Sequence, residues 1–440
     1  MIKNRLLTVL LITLPFVGFS QENSPFSRYG IGNLSPQGNV LNRGMGGISA
    51  GFSDVTTVNF LNPASYANLI YTTLDIGAEF DSRVLKITTP ADKYTSNNAF
   101  ISYLQLGIPL LRNNKKAIAN NVAWGLNFGL RPISKVNYKI EKDVRTNIDS
   151  LITLYEGSGG AYEAFLGTGV KIKNLSFGLN AGYLFGNKNY STRLVFFNDS
   201  INYIKSNSSN ETHFGGIFVN GGIQYAVDIN KDIPEKRAIL RLGAYGNLQK
   251  SFSASQNILR ETFIYNSTTG APSRLDSVYE VNDVKGLLQM PATYGAGFTY
   301  ENKKWLFGLD FETTNWSSYR FYGQKDSVKN NWTVKGGFQF LPADVNSKKY
   351  WDFVKYRAGF YFGPDYITAG KSLPQFGVTF GAGLPLKLRK SFYETQFSLM
   401  NVALEYSNRG NNNNNIRESV FRLSVGFSLS DIWFRRYKYD

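Results

Sequence analysis

The sequence predicts an all-β protein: a transmembrane antiparallel β-barrel of about 14 strands with an N-terminal hatch in its lumen. Three observations carry this. Segments of ~10 residues alternate apolar with small or polar side chains through most of the chain, the pattern of strands with one face in lipid. A compact glycine-rich stretch that does not alternate precedes them. At the extreme N-terminus, a short apolar run follows two basic residues, as in a secretory signal.

That signal is Met1–Ser20: Lys3 and Arg5, then apolar Leu6–Leu14, then Gly18-Phe19-Ser20 as the small-residue cleavage site. It is too short and too quickly followed by polar residues to be a membrane anchor, and no later run of ~20 apolar residues suggests a transmembrane helix. The chain divides into the signal 1–20, a hatch 21–68, a barrel 69–430 and a periplasmic tail 431–440. Within the hatch, Arg43–Gly51 is rich in small residues that let backbone pack closely and adopt positive φ. Asn59–Tyr66 follows, with Asn62 before Pro63 suited to a turn. Irregular backbone of this kind is tolerated at membrane depth only where protein surrounds it. Inside the barrel, Asn62 is expected to hydrogen-bond lumen groups, Pro63 to fix the bend, and Ala64 to permit close approach to the wall.

The strands are placed near 69–88, 96–110, 121–140, 160–173, 175–197, 212–229, 237–260, 291–301, 304–323, 331–341, 353–363, 374–386, 393–407 and 417–430. Alternation is clearest where Val122, Trp124, Leu126, Phe128 and Leu130 interleave with Gly125, Asn127 and Gly129, and where Phe421, Leu423, Val425, Phe427 and Leu429 interleave with Arg422, Ser424 and Ser428. The apolar set faces lipid and the other set faces the lumen. Lys173-Asn174 and Glu301–Lys304 read as tight turns on the side of both termini, in the periplasm. Long external loops are expected at 141–159, 198–211, 261–290 and around Asn411–Asn415. Pro132 interrupts the third strand, since proline cannot donate to a ladder.

Arg43-Gly44-Met45-Gly46-Gly47 followed by Asn62-Pro63-Ala64 resembles the N-terminal hatch of the FadL-type outer-membrane transport family. Leu287–Pro291, Trp316-Ser317 after Asp310-Phe311, and Tyr356–Phe360 follow that family's order, so the resemblance covers essentially the whole mature chain. It implies hatch residues Arg43, Gly44, Gly46, Gly47, Asn62, Pro63 and Ala64. It also implies an inward kink in the third strand that opens a lateral path to the bilayer, at Gly125, Gly129, Arg131 and Pro132. The other reading of Pro132, a strand that extends beyond the membrane with the proline in its solvated upper part, stays open. The implied cargo is a hydrophobic small molecule such as a long-chain fatty acid, held in an apolar pocket. The family is also similar to barrel subunits of a Gram-negative protein-secretion system. A subunit or docking platform with partner proteins is therefore the alternative.

Composition narrows the rest. The 33 Phe and 27 Tyr suit interfacial girdles. The net charge of +16 falls to +14 once Lys3 and Arg5 leave with the signal. On a barrel this fits attraction to anionic lipopolysaccharide and lipid headgroups, and nothing resembles a nucleic-acid fold. With no cysteine, disulfides and thiolate metal sites are excluded. His213 is the only histidine and has no serine–acid arrangement near it, so no catalytic residue, metal ligand or cofactor is assigned. The predicted location is the outer membrane of a Gram-negative cell.

Overall fold

Alternating side chains let each strand satisfy its backbone in a ladder while lipid and lumen take opposite faces, and the chain closes on itself accordingly. In the computed structural model the described residues are 23–111, 115–147, 149–196, 203–230, 233, 236–266, 268, 271–343, 347–369, 371–386 and 397–431. The signal segment and all but the first residue of the predicted tail lie outside them.

Among the described residues, eighteen strand pieces form one antiparallel sheet. They make fourteen ring strands, because three are built in two pieces and one two-residue piece, Asn33–Leu34, belongs to the N-terminal segment. In order these are β1 Thr72–Ile87, β2 Asp92–Pro109, β3 Val122–Arg145, β4 Ser150–Ile172, β5 Leu175–Phe196 and β6 Lys205–Ile229. Then come β7 (Ala238–Asn247 with Lys250–Tyr265), β8 (Pro272–Met290 with Thr293–Asn302) and β9 (Trp305–Thr314 with Arg320–Phe321). The last are β10 Asn331–Phe340, β11 Lys355–Ala369, β12 Lys371–Leu386, β13 Phe397–Arg409 and β14 Ile416–Asp431. The ring closes where β14 pairs with β1, from Ile416 opposite Ile87 to Asp431 opposite Thr72. We call the Thr72–Asp431 end basal and the opposite end distal.

The two faces separate as the alternation predicts. Trp124, Phe128, Leu130, Phe421, Phe427 and Leu429 are exposed on the outer wall, while Asn127, Arg422, Ser424 and Ser428 are buried within. Three of the predicted external loops are partly strand, the one at 198–211 from Lys205, which stands opposite Phe263 on β7. β3 and β4 stay paired up to Arg145 opposite Ser150, and β7 and β8 up to Tyr265 opposite Pro272. Beyond the bilayer both faces meet water, so apolar alternation stops although the backbone ladder continues.

The N-terminal segment spans the height of the ring. Asn23, its first described residue, exchanges hydrogen bonds with Lys139 on the distal half of β3, and Ser24 bonds Glu418 near the distal end of β14. From Asn23 the described segment therefore runs from the distal end down to the basal end at Thr72, and the two termini, expected at the same end, lie outside the described residues.

Candidate functional site

Local capping builds the N-terminal segment. Asn39 caps the turn Val40–Arg43, accepting from the Asn42 N–H at 2.8 Å, and Gly46 and Gly47 then reverse the chain at φ of 68° and 85°. Asn62 caps the 3-10 turn Pro63–Asn68, its Oδ1 accepting from Ala64 N–H at 3.2 Å with Pro63 in the first position. The Asn-Pro-Ala triplet is thus a capped helical start, in which proline costs no donor.

Glycines on the wall allow the segment to lie against it. Gly125, Gly169, Gly178 and Gly222 are direct cross-strand neighbours on β3, β4, β5 and β6. A Cβ on any of them would overlap the backbone of Pro63, the backbone of Tyr66 or the side chain of Asn62. Gly308, Gly337 and Gly359 form a second such row on β9, β10 and β11. There Met45 and Gly46 pass so close that a Cβ on Gly46 itself would stand 2.5 Å from the Gly336 and Phe360 carbonyl oxygens. Gly44 lies over Gly381 on β12.

Hydrogen bonds then tie the segment to strands around the ring. The Asp310 carboxylate on β9 accepts from Ser49 N–H at 2.5 Å and Ala50 N–H at 2.8 Å. Thr379 on β12 accepts from Gly46 N–H at 2.9 Å. Asn62 Nδ2 donates to the Ala50 carbonyl at 2.7 Å and reaches those of Ile223 and Ala244 at 3.3 Å. Tyr66 donates to Asn180 at 3.0 Å and accepts from Asn127 at 3.2 Å. Met45, Ala50, Asn62, Ala64 and Tyr66 have no exposed surface.

An ionic belt flanks these contacts. Arg43 donates to the Gly38 and Pro36 carbonyls at 2.9 and 3.0 Å and pairs with Glu79 on β1. Glu79 also faces Arg422 at 3.3 Å, and Arg422 reaches Asp81 at 2.7 Å and Glu405 at 3.1 Å. Arg409 bridges Asp365 and Glu418. A cavity of about 210 Å³ lies among them, lined by Arg43, Arg83, Glu405, Arg409, Glu418 and Arg422. Its lining mixes these charges with Leu34, Pro36, Tyr361, Tyr366 and Val420, where the family resemblance implied an apolar pocket.

The four residues assigned to a lateral opening take different places. Gly125 belongs to the glycine row under Tyr66, and Gly129 lies beneath the Phe165 ring. Arg131 pairs with Glu163 at 2.8 Å and reaches Gln37 at 3.2 Å. Pro132 is buried and opens a register shift against β4 between Pro132 and Ser134. Just above Leu104 opposite Leu130, the ladder between β2 and β3 ends among the described residues. From there the edge of β3 takes the N-terminal segment: Asn33 and Leu34 pair with Lys135 and Ser134, and the Ser24 N–H donates to the Asn137 carbonyl at 3.1 Å. β3 thus carries a bulge at Pro132, and beyond it the edge is occupied by the chain's own extended residues. His213 stands exposed on β6, opposite Ser255 on β7.

Comparison with known proteins agrees with this architecture. A family model described as BamG matches residues 1–440. No curated protein matches the sequence. Among solved structures, the toluene transporter TodX of P. putida superposes with a TM-score of 0.56 at 15% identity, covering 92% of this chain and 100% of that one. The CymD monoaromatic hydrocarbon channel gives 0.53 at 14% identity over 92% and 100%. A Pseudomonas aeruginosa FadL homologue gives 0.53 at 11% identity over 91% and 99%. At these identities the likeness establishes a shared fold, that of FadL-type outer-membrane barrels.

Proposed function

Because the chain belongs to the BamG family along its whole length, we propose that it is a sealed FadL-like barrel serving as a subunit or docking platform of an outer-membrane secretion or assembly complex. In this reading residues 24–69 act as a permanent hatch and the basal end faces the periplasm. The observation that carries it is the lumen. The segment lies against the wall across two glycine rows, and the cavity beside it has paired charges in its lining. A hydrophobic solute entering there would have to displace buried ion pairs, which is costly.

A second reading is passive uptake of hydrophobic small molecules such as long-chain fatty acids. One feature favours it: the β2–β3 ladder stops above Leu104 and Leu130, where a cargo could leave sideways if residues 23–35 moved away from β3. Gentle purification from native membranes, with mass spectrometry of bound lipids and proteins together, separates the two. A stoichiometric protein partner with no lumenal ligand supports the platform. A lipid-like molecule retained in the lumen of a barrel without partners overturns it in favour of uptake.

A further inference from the structure

We propose that the outer wall at the distal ends of β14, β1 and β2 binds the phosphorylated sugar headgroup of an outer-leaflet glycolipid of the lipid A type; this rests on the orientation given above, with the basal end in the periplasm, and on neither functional reading. Arg417 stands directly opposite Lys86, and Lys86 directly opposite Lys93. All three belong to the alternating set that faces outward, with Phe421 on β14 and Phe80 on β1, and both lysines are exposed. Like charges in direct cross-strand register repel, and no carboxylate among the described residues pairs with these three. Glu418, beside Arg417, points into the lumen, where it pairs with Arg83 and Arg409. Asp92, beside Lys93, lies on the other face of β2 with Tyr94 and accepts from the Tyr94 hydroxyl and the Lys93 N–H. Arg417 donates from Nη1 to Asn412, and its Nε is buried without a partner.

The height of this row on the wall points to a lipid headgroup. On the same face, Asn408, Ser419 and Thr95 come next below the cations, and the apolar wall begins one row further down with Tyr406 and Phe421, both about half exposed. Four residues separate Arg417 from Phe421, roughly 13 Å along the strand and roughly 10 Å along the membrane normal at the tilt of such barrels. Lysine and arginine stems lying along the wall bring their charges to headgroup level from there. The row is two strand spacings wide, about 10 Å. That exceeds what one phosphodiester needs and suits a sugar headgroup with more than one phosphate, whose hydroxyls would meet Asn408, Ser419 and Thr95. Each cation would then gain a charge-assisted contact in place of a like-charged neighbour.

The test is native mass spectrometry of the full-length protein in detergent, titrated with diphosphoryl lipid A, phosphatidylglycerol or inorganic phosphate. The expected result is one lipid A molecule retained in preference to the other two. Retention should fall about thirtyfold with Lys86→Gln and Lys93→Gln together, the effect of two cations at an anionic lipid surface. It should persist with Lys86→Arg and Lys93→Arg. It should also persist with Lys173→Gln and Lys303→Gln, exposed lysines of basal turns that remove the same charge. A heat-modifiable gel shift in every variant verifies that the barrel is assembled. Equal loss from the basal pair, or equal retention of phosphatidylglycerol, overturns the site. Displacement of lipid A by equimolar inorganic phosphate overturns the lipid assignment in favour of a free anion. Orientation is read separately with Asn413→Cys, in a chain that otherwise has no cysteine, and an impermeant maleimide should label it in intact cells. Labelling only after permeabilisation overturns the orientation and the site with it. Labelling from outside without lipid A binding overturns the site alone.

Discussion

A side chain at Gly243 on β7 would overlap the carbonyl oxygen of Ala50 in the N-terminal segment. At this point the wall and the segment touch through backbone alone, so the fit depends on a missing Cβ. Gly243→Ala should therefore cost about 1–3 kcal/mol, as overpacking does. Gly221→Ala is the matched control, since its Cβ would meet only the Gly178 carbonyl oxygen at an ordinary 3.7 Å. The midpoint of the heat-induced gel shift should fall for Gly243→Ala and stay put for Gly221→Ala. Equal shifts would mean that the segment does not press on the wall.

Asp310 gives a polar counterpart. Its carboxylate is 2% exposed and accepts two N–H groups, from Ser49 and Ala50. Asp310→Ala leaves both donors without that acceptor and should cost about 1.5–3 kcal/mol, the range for hydrogen bonds to charged groups. Asp310→Asn keeps an oxygen at the same place and should lose less. Limited proteolysis of the assembled barrel is the readout: cleavage within residues 44–65 should accelerate for the alanine variant. A cleavage rate unchanged from wild type would show that this carboxylate does not hold the segment.

The outward and inward faces were legible in the sequence because a strand's period of two is a local property. Phe427 outside and Ser424 inside follow from spacing alone. The turn at Asn62-Pro63-Ala64 was legible for the same reason, since cap and proline are adjacent. The glycine rows were not, because Gly125, Gly169, Gly178 and Gly222 become neighbours only once register across four strands is fixed. Nor was the ionic belt, whose Arg422 and Asp81 lie 341 positions apart. The distal strand extensions escaped detection because solvated ladders carry no apolar signal.

The lipid face gives a third test. Phe427 is 42% exposed on the outer wall, and Ser424 on the same strand is 2% exposed. Phe427→Arg should cost about 2–4 kcal/mol if its position is near the bilayer midplane. Ser424→Asn should be milder, because the lumen already holds polar side chains. Measured as the fraction of assembled, heat-modifiable barrel in outer membranes, the arginine variant should be the poorer. Comparable loss from both positions would count against the assigned orientation.

The fourth prediction bears on the functional reading itself. Barrel width grows with strand number, and a fourteen-strand ring is wide enough to leave a water-filled channel unless something occupies it. Residues 24–69 ion-pair with β1, hydrogen-bond to β3, β5, β9 and β12, and supply most of the buried residues outside strands among the described residues. The intact protein should therefore be silent in planar bilayers. Deleting Gly44–Ser65 with the ring strands kept removes the two reversals and the Asn62 cap, and should yield a conducting barrel. Arg43 remains in that variant, so Glu79 keeps a partner and the ionic belt is not the variable under test. A second variant, Arg43→Met, removes the cation alone. Glu79 still faces Arg422 at 3.3 Å, so this change should cost less than the ~3–5 kcal/mol of an orphaned buried charge and should not open the lumen. An intact protein that conducts like an open porin, with no change on deletion, would remove the hatch and with it the argument that the lumen is sealed.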